Sequence, residues 1–446
     1  MQNDFKNVYI STYGCQMNVN DSERMYSLLE MQNYQEVKQA DQADLIIINS
    51  CSIREKPVHK VRSEAGHYQK LKKQNKSLRV GVGGCVGQQE KQQLLKDIPY
   101  LDFVFGPDNI DDLPNILDKL ENDGRLSKAK FKHQEPYHIT NMVRNPGVAT
   151  FVNITKGCDN FCTFCIVPFT RGRLRSRPLK DLIKDINALS SRGVKEVTLL
   201  GQNVNSYMSD EGSDFPALLK TLCEDTPIER IRYVTSHPKD FNQDLVAVLA
   251  KYRSKLCDYI HLPVQSGSTE VLRRMNRVYT RQEYLDKIAM IKEAIPGVSL
   301  STDIICGFPG ETEQDFIDTM TLAELVEYET MYAFSYSPRP FTKAARYGDQ
   351  IDEKVSKERL KRLLTFHKEQ AFELAKRYEG RVLEVLVESL DKRSSKGVDK
   401  PRVMGRSTQN KLVHFDGDES LIGQTVKVKI TETAPINFNG ERVFET

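Results

Sequence analysis

Three cysteines fall within eight residues of the stretch GCDNFCTFCIVPFTRGRLRSR (157–177), and four arginines follow at alternate positions. Cys158, Cys162 and Cys165 have the spacing C-x3-C-x2-C, which puts three thiolates on one compact loop. Thiolates so grouped bind metal. A structural zinc ion takes four ligands, often from two C-x2-C pairs, and a closed four-iron cube also takes four. No fourth cysteine is near, the next being Cys223, and His138 and His237 are not at ligand spacing. A four-iron cube on three thiolates keeps one iron open for a small chelating ligand, such as the amino and carboxylate groups of an amino acid. The competing reading is a zinc knuckle with a distant fourth ligand. The loop follows the first strand of a repeated strand–helix pattern, where barrels carry their catalytic loops, and this context favours the cube.

A second set is dispersed. Cys15 ends VYISTYGC, Cys51 ends DLIIINSC and Cys85 ends LRVGVGGC, each directly after an apolar strand pattern. Ligands of an open parallel sheet gather at the carboxyl ends of its strands, so three strand ends can bring these thiols together. Free cysteines are common core residues, and one such cysteine would mean nothing. Three at the same topological position point to a second cluster, again with one iron lacking a protein ligand. Cys223, Cys257 and Cys306 read as packing residues.

The elements that must position these groups follow from hydrophobic periodicity. The fold class is α/β and multidomain. Residues 1–122 alternate strands (8–12, 44–50, 78–84, 101–106) with helices (starting near Asn20-Asp21-Ser22, then 54–75, 88–97 and 111–120), which predicts an open parallel sheet. Residues 123–145 lack a sustained period and read as a linker. Six strand–helix units over 146–378 predict a partial (β/α)6 barrel, from which a long charged helix over 351–378 leads outward. Residues 379–446 alternate in short segments and predict a small OB-like β-barrel.

The loop GCDNFCTFC, with Phe164 before its last cysteine, resembles the signature of radical S-adenosylmethionine (SAM) enzymes. In that class the open iron holds SAM, and cleavage of its sulfonium bond yields a 5′-deoxyadenosyl radical. The resemblance implies SAM contacts from Phe164 and from later strand ends: Gly201, Gln202 and Asn203 in LLGQNVNSY, Ser236 in TSHP, Gln265 in LPVQSGS, and Asp303 and Gly307 in DIICGFPGET. Taken alone, GFPGET reads as a turn capping a helix. His237 and His261 are assigned no chemistry.

The order of parts, with STYGCQMNVNDSE, NSCSIREKP, VGGCVGQ, HLPVQSGS and AFSYSPRP, resembles the methylthiotransferases over essentially the whole chain, and among them the MiaB type. The C-terminal segment is similar to the RNA-associated TRAM domain. The resemblance implies two 4Fe-4S clusters and two SAM molecules per product. One SAM methylates a sulfur on the auxiliary cluster of Cys15, Cys51 and Cys85; the other is cleaved at the second cluster. The implied substrate is the isopentenylated adenosine just 3′ of the anticodon, whose C2–H bond offers no acidic proton and no leaving group. The base must leave its stack, which costs least in an unpaired loop. Phe341-Thr342 stand where the family pattern has Gly-Thr, and phenylalanine is not expected to take backbone angles open to glycine.

A nucleic-acid partner gives the arginines a role. Arg171, Arg173, Arg175 and Arg177 share one face if their segment is extended, and guanidinium groups bind phosphate and stack on bases. They are read as substrate contacts together with Arg339, Arg402 and Arg406, the last two in a basic stretch at 392–411. The plain alternative for the alternating arginines is ion pairing with the helix that follows. Total charge does not argue for RNA, since the chain is only +3.

Nine cysteines without a signal pattern suggest a cytoplasmic protein rather than a disulfide-bonded secreted one. No apolar run approaches the ~20 residues of a membrane span. The remaining expectations are an anticodon stem-loop ligand, a flavodoxin or ferredoxin as electron donor, and a monomer. Alternatives are a methylthiotransferase for a ribosomal-protein aspartate or for threonylcarbamoyl-adenosine in tRNA, and, in another class, a non-catalytic zinc-stabilised RNA-binding protein.

Overall fold

The computed structural model describes residues 5–52, 55–132, 137–139, 143–391 and 401–444. Its first unit is a six-stranded, all-parallel sheet in the order β2-β1-β3-β4-β5-β6, with β1 Lys6–Tyr13, β2 Tyr34–Glu36, β3 Leu45–Ser50, β4 Arg79–Gly83, β5 Phe103–Phe105 and β6 Leu126–Lys128. The central strand β3 is buried at every residue, which its run LIIINS requires, because helices cover both faces of such a sheet.

Two edges of this sheet differ from the sequence reading. β6 lies inside the segment read as a linker and pairs with β5, Phe103 opposite Leu126. Strands β2 and β6 have three residues each, too few to show alternation. The first helix also starts earlier than expected, at Gln16, with Cys15 as its N-cap. Asn20, Asp21 and Ser22 are therefore inside the helix and buried. Tertiary partners, not cap geometry, account for these polar residues. Asn49 Nδ2 donates to Ser22 Oγ at 2.8 Å, and Asn20 Oδ1 accepts from Asn153 Nδ2 at 2.7 Å.

The second unit is the partial barrel. β7 Ala149–Asn153 leads through β8 Thr155–Lys156 into the cysteine loop, which returns through β9 Arg175–Ser176. The remaining barrel strands are β10 Glu196–Leu200, β11 Arg230–Tyr233, β12 Tyr259–His261, β13 Ser299–Cys306 and β14 Thr330–Ser335. They form two parallel triplets, β11-β10-β7 and β12-β13-β14, linked where Ser236 N donates to His261 O at 3.3 Å. The largest apolar core lies between these strands and their helices. The expected long helix runs from Glu353 to Lys376.

The third unit is a closed five-stranded barrel in the order β15-β16-β17-β19-β18 (β15 Val382–Leu390, β16 Arg402–Ser407, β17 Leu412–Asp416, β18 Thr425–Thr433, β19 Asn437–Arg442). Alternating burial along β16 and β18 puts Val403, Val426, Val428 and Ile430 inside. Closure removes the sheet edges. Arg230 and Arg232 of β11 dock this barrel by donating to the carbonyls of Glu384, Arg406, Ser407 and Thr408.

Candidate functional site

Strands β1, β3 and β4 are neighbours, and Cys15, Cys51 and Cys85 follow them at the same end of the sheet. Gly14 lets two of these ends meet, because a Cβ there would lie 2.4 Å from Cys51 Cβ. Hydrogen bonding from the Cys51 thiol is the main reason that Cys15 and Cys85 are each lowered to about 6, with Arg171 adding to the effect. Cys51 itself, as the shared partner, is raised well above its ordinary value. Thiolate is the metal-binding form, so this donor set suits a cluster.

The residue that completes this corner comes from the barrel. Arg171 Nε donates to Cys85 Sγ at 3.2 Å, and Arg171 Nη1 meets Asp21 Oδ2 at 2.8 Å. Arg171 Nη2 is buried with no acceptor among the described residues. A sulfur-rich group on the three thiols would supply one.

Cys158, Cys162 and Cys165 sit on the loop between β8 and the short helix Val167–Thr170. The loop is clamped from outside: Thr163 N donates to Met275 O at 3.0 Å, and Asn276 Nδ2 donates to Asn160 O at 3.1 Å. Arg277, buried, donates to Cys162 Sγ at 3.5 Å, so each cysteine triad has one buried guanidinium on one sulfur. Burial raises Cys158 to about 11 and raises Cys165 further. Metal ligation at this loop must therefore displace protons that burial holds on Cys158 and Cys165. Among the described residues no three His, Cys, Asp or Glu converge tightly enough for a single ion. A cube takes each thiolate at a separate iron and does not need that convergence.

The strand ends around this loop carry buried polar atoms without partners. Asn203 Oδ1, Ser236 Oγ and His237 Nε2 are all in this state among the described residues. Three such atoms at adjacent strand ends fit a polar ligand such as SAM. His237 Nδ1 accepts from Lys239 N at 3.2 Å, which leaves the proton on Nε2 and makes His237 a donor that the sequence reading passed over. Gln202 accepts from Gly157 N, beside Cys158, and contacts Met17 Sδ, close to Cys15. It thus ties the two cysteine-bearing loops together. Asn203 Nδ2 donates to Asp240 Oδ2 at 3.0 Å.

The other residues expected to contact SAM have these neighbours within the chain. Gly201 packs against Thr155, and Gly307 packs against Ser356 while its N–H donates to Glu311 Oε1 at 2.8 Å. Gly307 thus serves the turn before the Thr312-capped helix. Phe164 packs with Met275 and Phe308. Gln265 is held by backbone bonds to Asp303 and Ile305, and Asp303 Oδ2 lies 3.7 Å from His261 Nε2.

The arginine series needs correction. Arg171 and Arg177 are 3% and 2% exposed, the latter paired with Asp185 of the following helix, and Arg175 pairs with Asp108 at 2.6 Å. Arg171 and Arg175 join the barrel to the first unit, Arg177 ties the cysteine loop's return strand to the helix that follows it, and none of the three is presented to phosphate. Arg173 alone points outward, 62% exposed in its side chain, beside Asp159. In the C-terminal barrel Arg402 lies 3.7 Å from Asp416 and Arg406 3.4 Å from Glu388. Lys411 is buried against Glu329 at 2.6 Å. Residues 392–400 of the basic stretch lie outside the described residues. Arg339 is half-buried near the barrel mouth.

Burial, then the charges of Arg277 and Lys239, lower His237 to about 2. Below about pH 6.5 the unfolded chain binds a proton at this histidine that the folded chain refuses. Stability is thus full above about pH 6.5 and falls as pH drops towards 2, by up to ~1.4 kcal/mol per unit. A His237→Asn chain is expected to lose that share of the slope, measured as the difference in urea unfolding free energy between about pH 7 and about pH 5.

Comparison with known proteins agrees with this architecture. Residues 152–323 match the Radical SAM superfamily, residues 7–106 match Uncharacterized protein family UPF0004, and residues 376–438 match the TRAM domain. Among solved structures, the radical S-adenosylmethionine methyltransferase TsrM from Kitasatospora setae superposes with a TM-score of 0.57 over 76% of this chain and 77% of that one, at 13% identity. That likeness concerns the fold. A tRNA-2-methylthio-N(6)-dimethylallyladenosine synthase of Bdellovibrio bacteriovorus is 61% identical over 98% of this chain and 96% of its own length. Enzymes of the same name from Carboxydothermus hydrogenoformans and Geobacter metallireducens are 44% and 45% identical, each over 98% of this chain and 99% and 98% of their own lengths. With such identity along its whole length, and with both cysteine triads set at strand ends around one interface, the chain belongs to the family of the tRNA-2-methylthio-N(6)-dimethylallyladenosine synthases.

Proposed function

We propose that this enzyme replaces the C2 hydrogen of N6-dimethylallyladenosine in tRNA, just 3′ of the anticodon, with a methylthio group. The observation that carries this reading is the meeting of two cysteine triads across one buried interface, bridged by Arg171 and Gln202. Family membership and the TRAM match support tRNA as the substrate class.

The fitting groups are a 4Fe-4S cluster on Cys158, Cys162 and Cys165, a second on Cys15, Cys51 and Cys85, and SAM at the strand ends; when bound they supply a hydrogen-abstracting radical and a methylated sulfur. The chain's own residues orient these partners. Arg171 and Asp21 fix the Cys85 corner against the barrel, and Gln202 sets the spacing between the two loops. Asn203, Ser236 and His237 present a polar wall to SAM. The apolar barrel core behind this wall excludes water from a reactive centre. A flavodoxin or ferredoxin supplies electrons, and the enzyme acts as a monomer. Among the described residues no helix is long and apolar enough to cross a membrane.

Mass spectrometry of tRNA nucleosides from cells lacking the gene tests the assignment. Loss of the methylthio form with accumulation of N6-dimethylallyladenosine is expected; unchanged tRNA with an altered ribosomal protein would overturn it. Arg402 and Arg406 are read as stem contacts. Replacing either by alanine should then weaken tRNA binding at all sequences and reduce the log–log salt slope by about 1. Filter binding across a salt series checks this.

A further inference from the structure

The turn after β14 has an unusual residue at its third position. Arg339 O accepts from Thr342 N at 3.3 Å, so the four residues Arg339-Pro340-Phe341-Thr342 close a turn, and Phe341 has φ +70°. A proline second and a left-handed residue third is the pattern that favours glycine or asparagine at the third position. Phenylalanine takes those angles here, contrary to the expectation from sequence. A bulky residue so held is a true backbone outlier, and such outliers gather at functional sites.

The strain has a visible product. The Phe341 ring is 55% exposed, and its centroid lies 5.9 Å from that of Phe169, which is 42% exposed. Phe161, also in the left-handed region at φ +46°, is 47% exposed. All three rings line one cavity of about 770 Å³, whose inner wall includes Cys162 and Cys165. Lys343 and Arg346 stand exposed at its rim. Three solvent-facing rings beside cations have no use in a folded core. They match what unpaired nucleotides require, namely aromatic faces for bases and positive charge for the backbone.

We infer that Phe341 and Phe169, with Lys343 and Arg346, form a stacking platform for an unpaired nucleotide of the anticodon loop next to the one modified. The inference rests on tRNA being the substrate. A redox protein would also meet cations near a cluster, but it docks through a broad face, whereas this site is a concavity of nucleotide size.

The test uses anaerobically reconstituted enzyme and an anticodon stem-loop carrying 5-iodouridine in its loop. Irradiation is expected to cross-link the loop to Phe341 or Phe169. A Phe341→Gly chain should melt at a higher temperature, because glycine takes the turn without strain, yet bind the stem-loop about fivefold or more weakly with an unchanged salt slope. The rise in melting temperature separates lost stacking from misfolding. Unchanged stem-loop affinity in Phe341→Gly, or cross-links confined to other residues, would overturn the platform. So would a variant that binds RNA normally but is reduced more slowly by a flavodoxin, which would give the cavity to the electron donor. Either failure leaves the nucleoside assay untouched, so the substrate assignment is judged separately.

Discussion

A Cys158→Ala chain purified without oxygen is expected to keep about four of about eight irons and to lose product formation by more than about a thousandfold. It should also fail to cleave SAM. The complementary Cys15→Ala chain is expected to keep a similar iron content and still cleave SAM, but to attach no methylthio group. The physical basis is division of labour between two triads with different surroundings. Cys158 lies in a site that burial pushes up to about 11, whereas Cys15 lies in one lowered to about 6 by the Cys51 thiol. Iron assay, Mössbauer spectroscopy and separate measurement of 5′-deoxyadenosine and methylthio product check the pair. If Cys15→Ala also abolished SAM cleavage, the two sites would not be separable and the assignment of roles would fail.

Replacing Arg171 by leucine carries the largest expected effect on stability. Asp21 and Arg171 are each 3% exposed in their side chains, and their pair is made at 2.8 Å. Removing one member of a buried pair leaves the other charge uncompensated, at a cost of about 3–5 kcal/mol. The Cys85 sulfur also loses its donor. Lysine is not expected to rescue, because one ammonium cannot reproduce a fork that serves a sulfur and a carboxylate at once. Removing both charges, in Asp21→Asn with Arg171→Leu, should recover part of the loss. Denaturant unfolding of apo and reconstituted chains checks these values, and the auxiliary cluster's EPR spectrum should change in Arg171→Lys even where the fold survives.

The fold was legible where apolar runs are long. DLIIINS and LRVGVGG read as strands of a parallel sheet, and the alternation over 379–446 pointed to the small barrel. The edge strands at Tyr34–Glu36 and Leu126–Lys128 were not legible, because three half-exposed residues leave no periodic trace. The cysteines stood out through their positions after strands, a feature of sequence alone. The arginines did not. Their even spacing suggested one shared face, yet Arg171, Arg175 and Arg177 each turn to a carboxylate, two of them on distant elements. Asp21 looked like a helix cap because aspartate favours that place, and only the meeting of the two units shows its partner. His237 was visible but chemically silent, since its orphaned Nε2 depends on which neighbour takes Nδ1. Phe341 departs from the family pattern, and here the structure differs from the expectation for a bulky side chain, since phenylalanine takes the left-handed backbone at φ +70°.

The bond from Arg171 to Cys85 has a bearing on how the enzyme can be made. One wall of the corner that holds Cys15, Cys51 and Cys85 is contributed by a stretch translated long after the thiols themselves. A nascent or truncated chain that ends before the barrel would present that corner unfinished, with Asp21 bare and Cys85 undefended against oxidants. Iron uptake at the Cys15, Cys51 and Cys85 corner should therefore wait for the barrel to arrive, and the N-terminal half, synthesised apart, should take up its iron only when the barrel half is added.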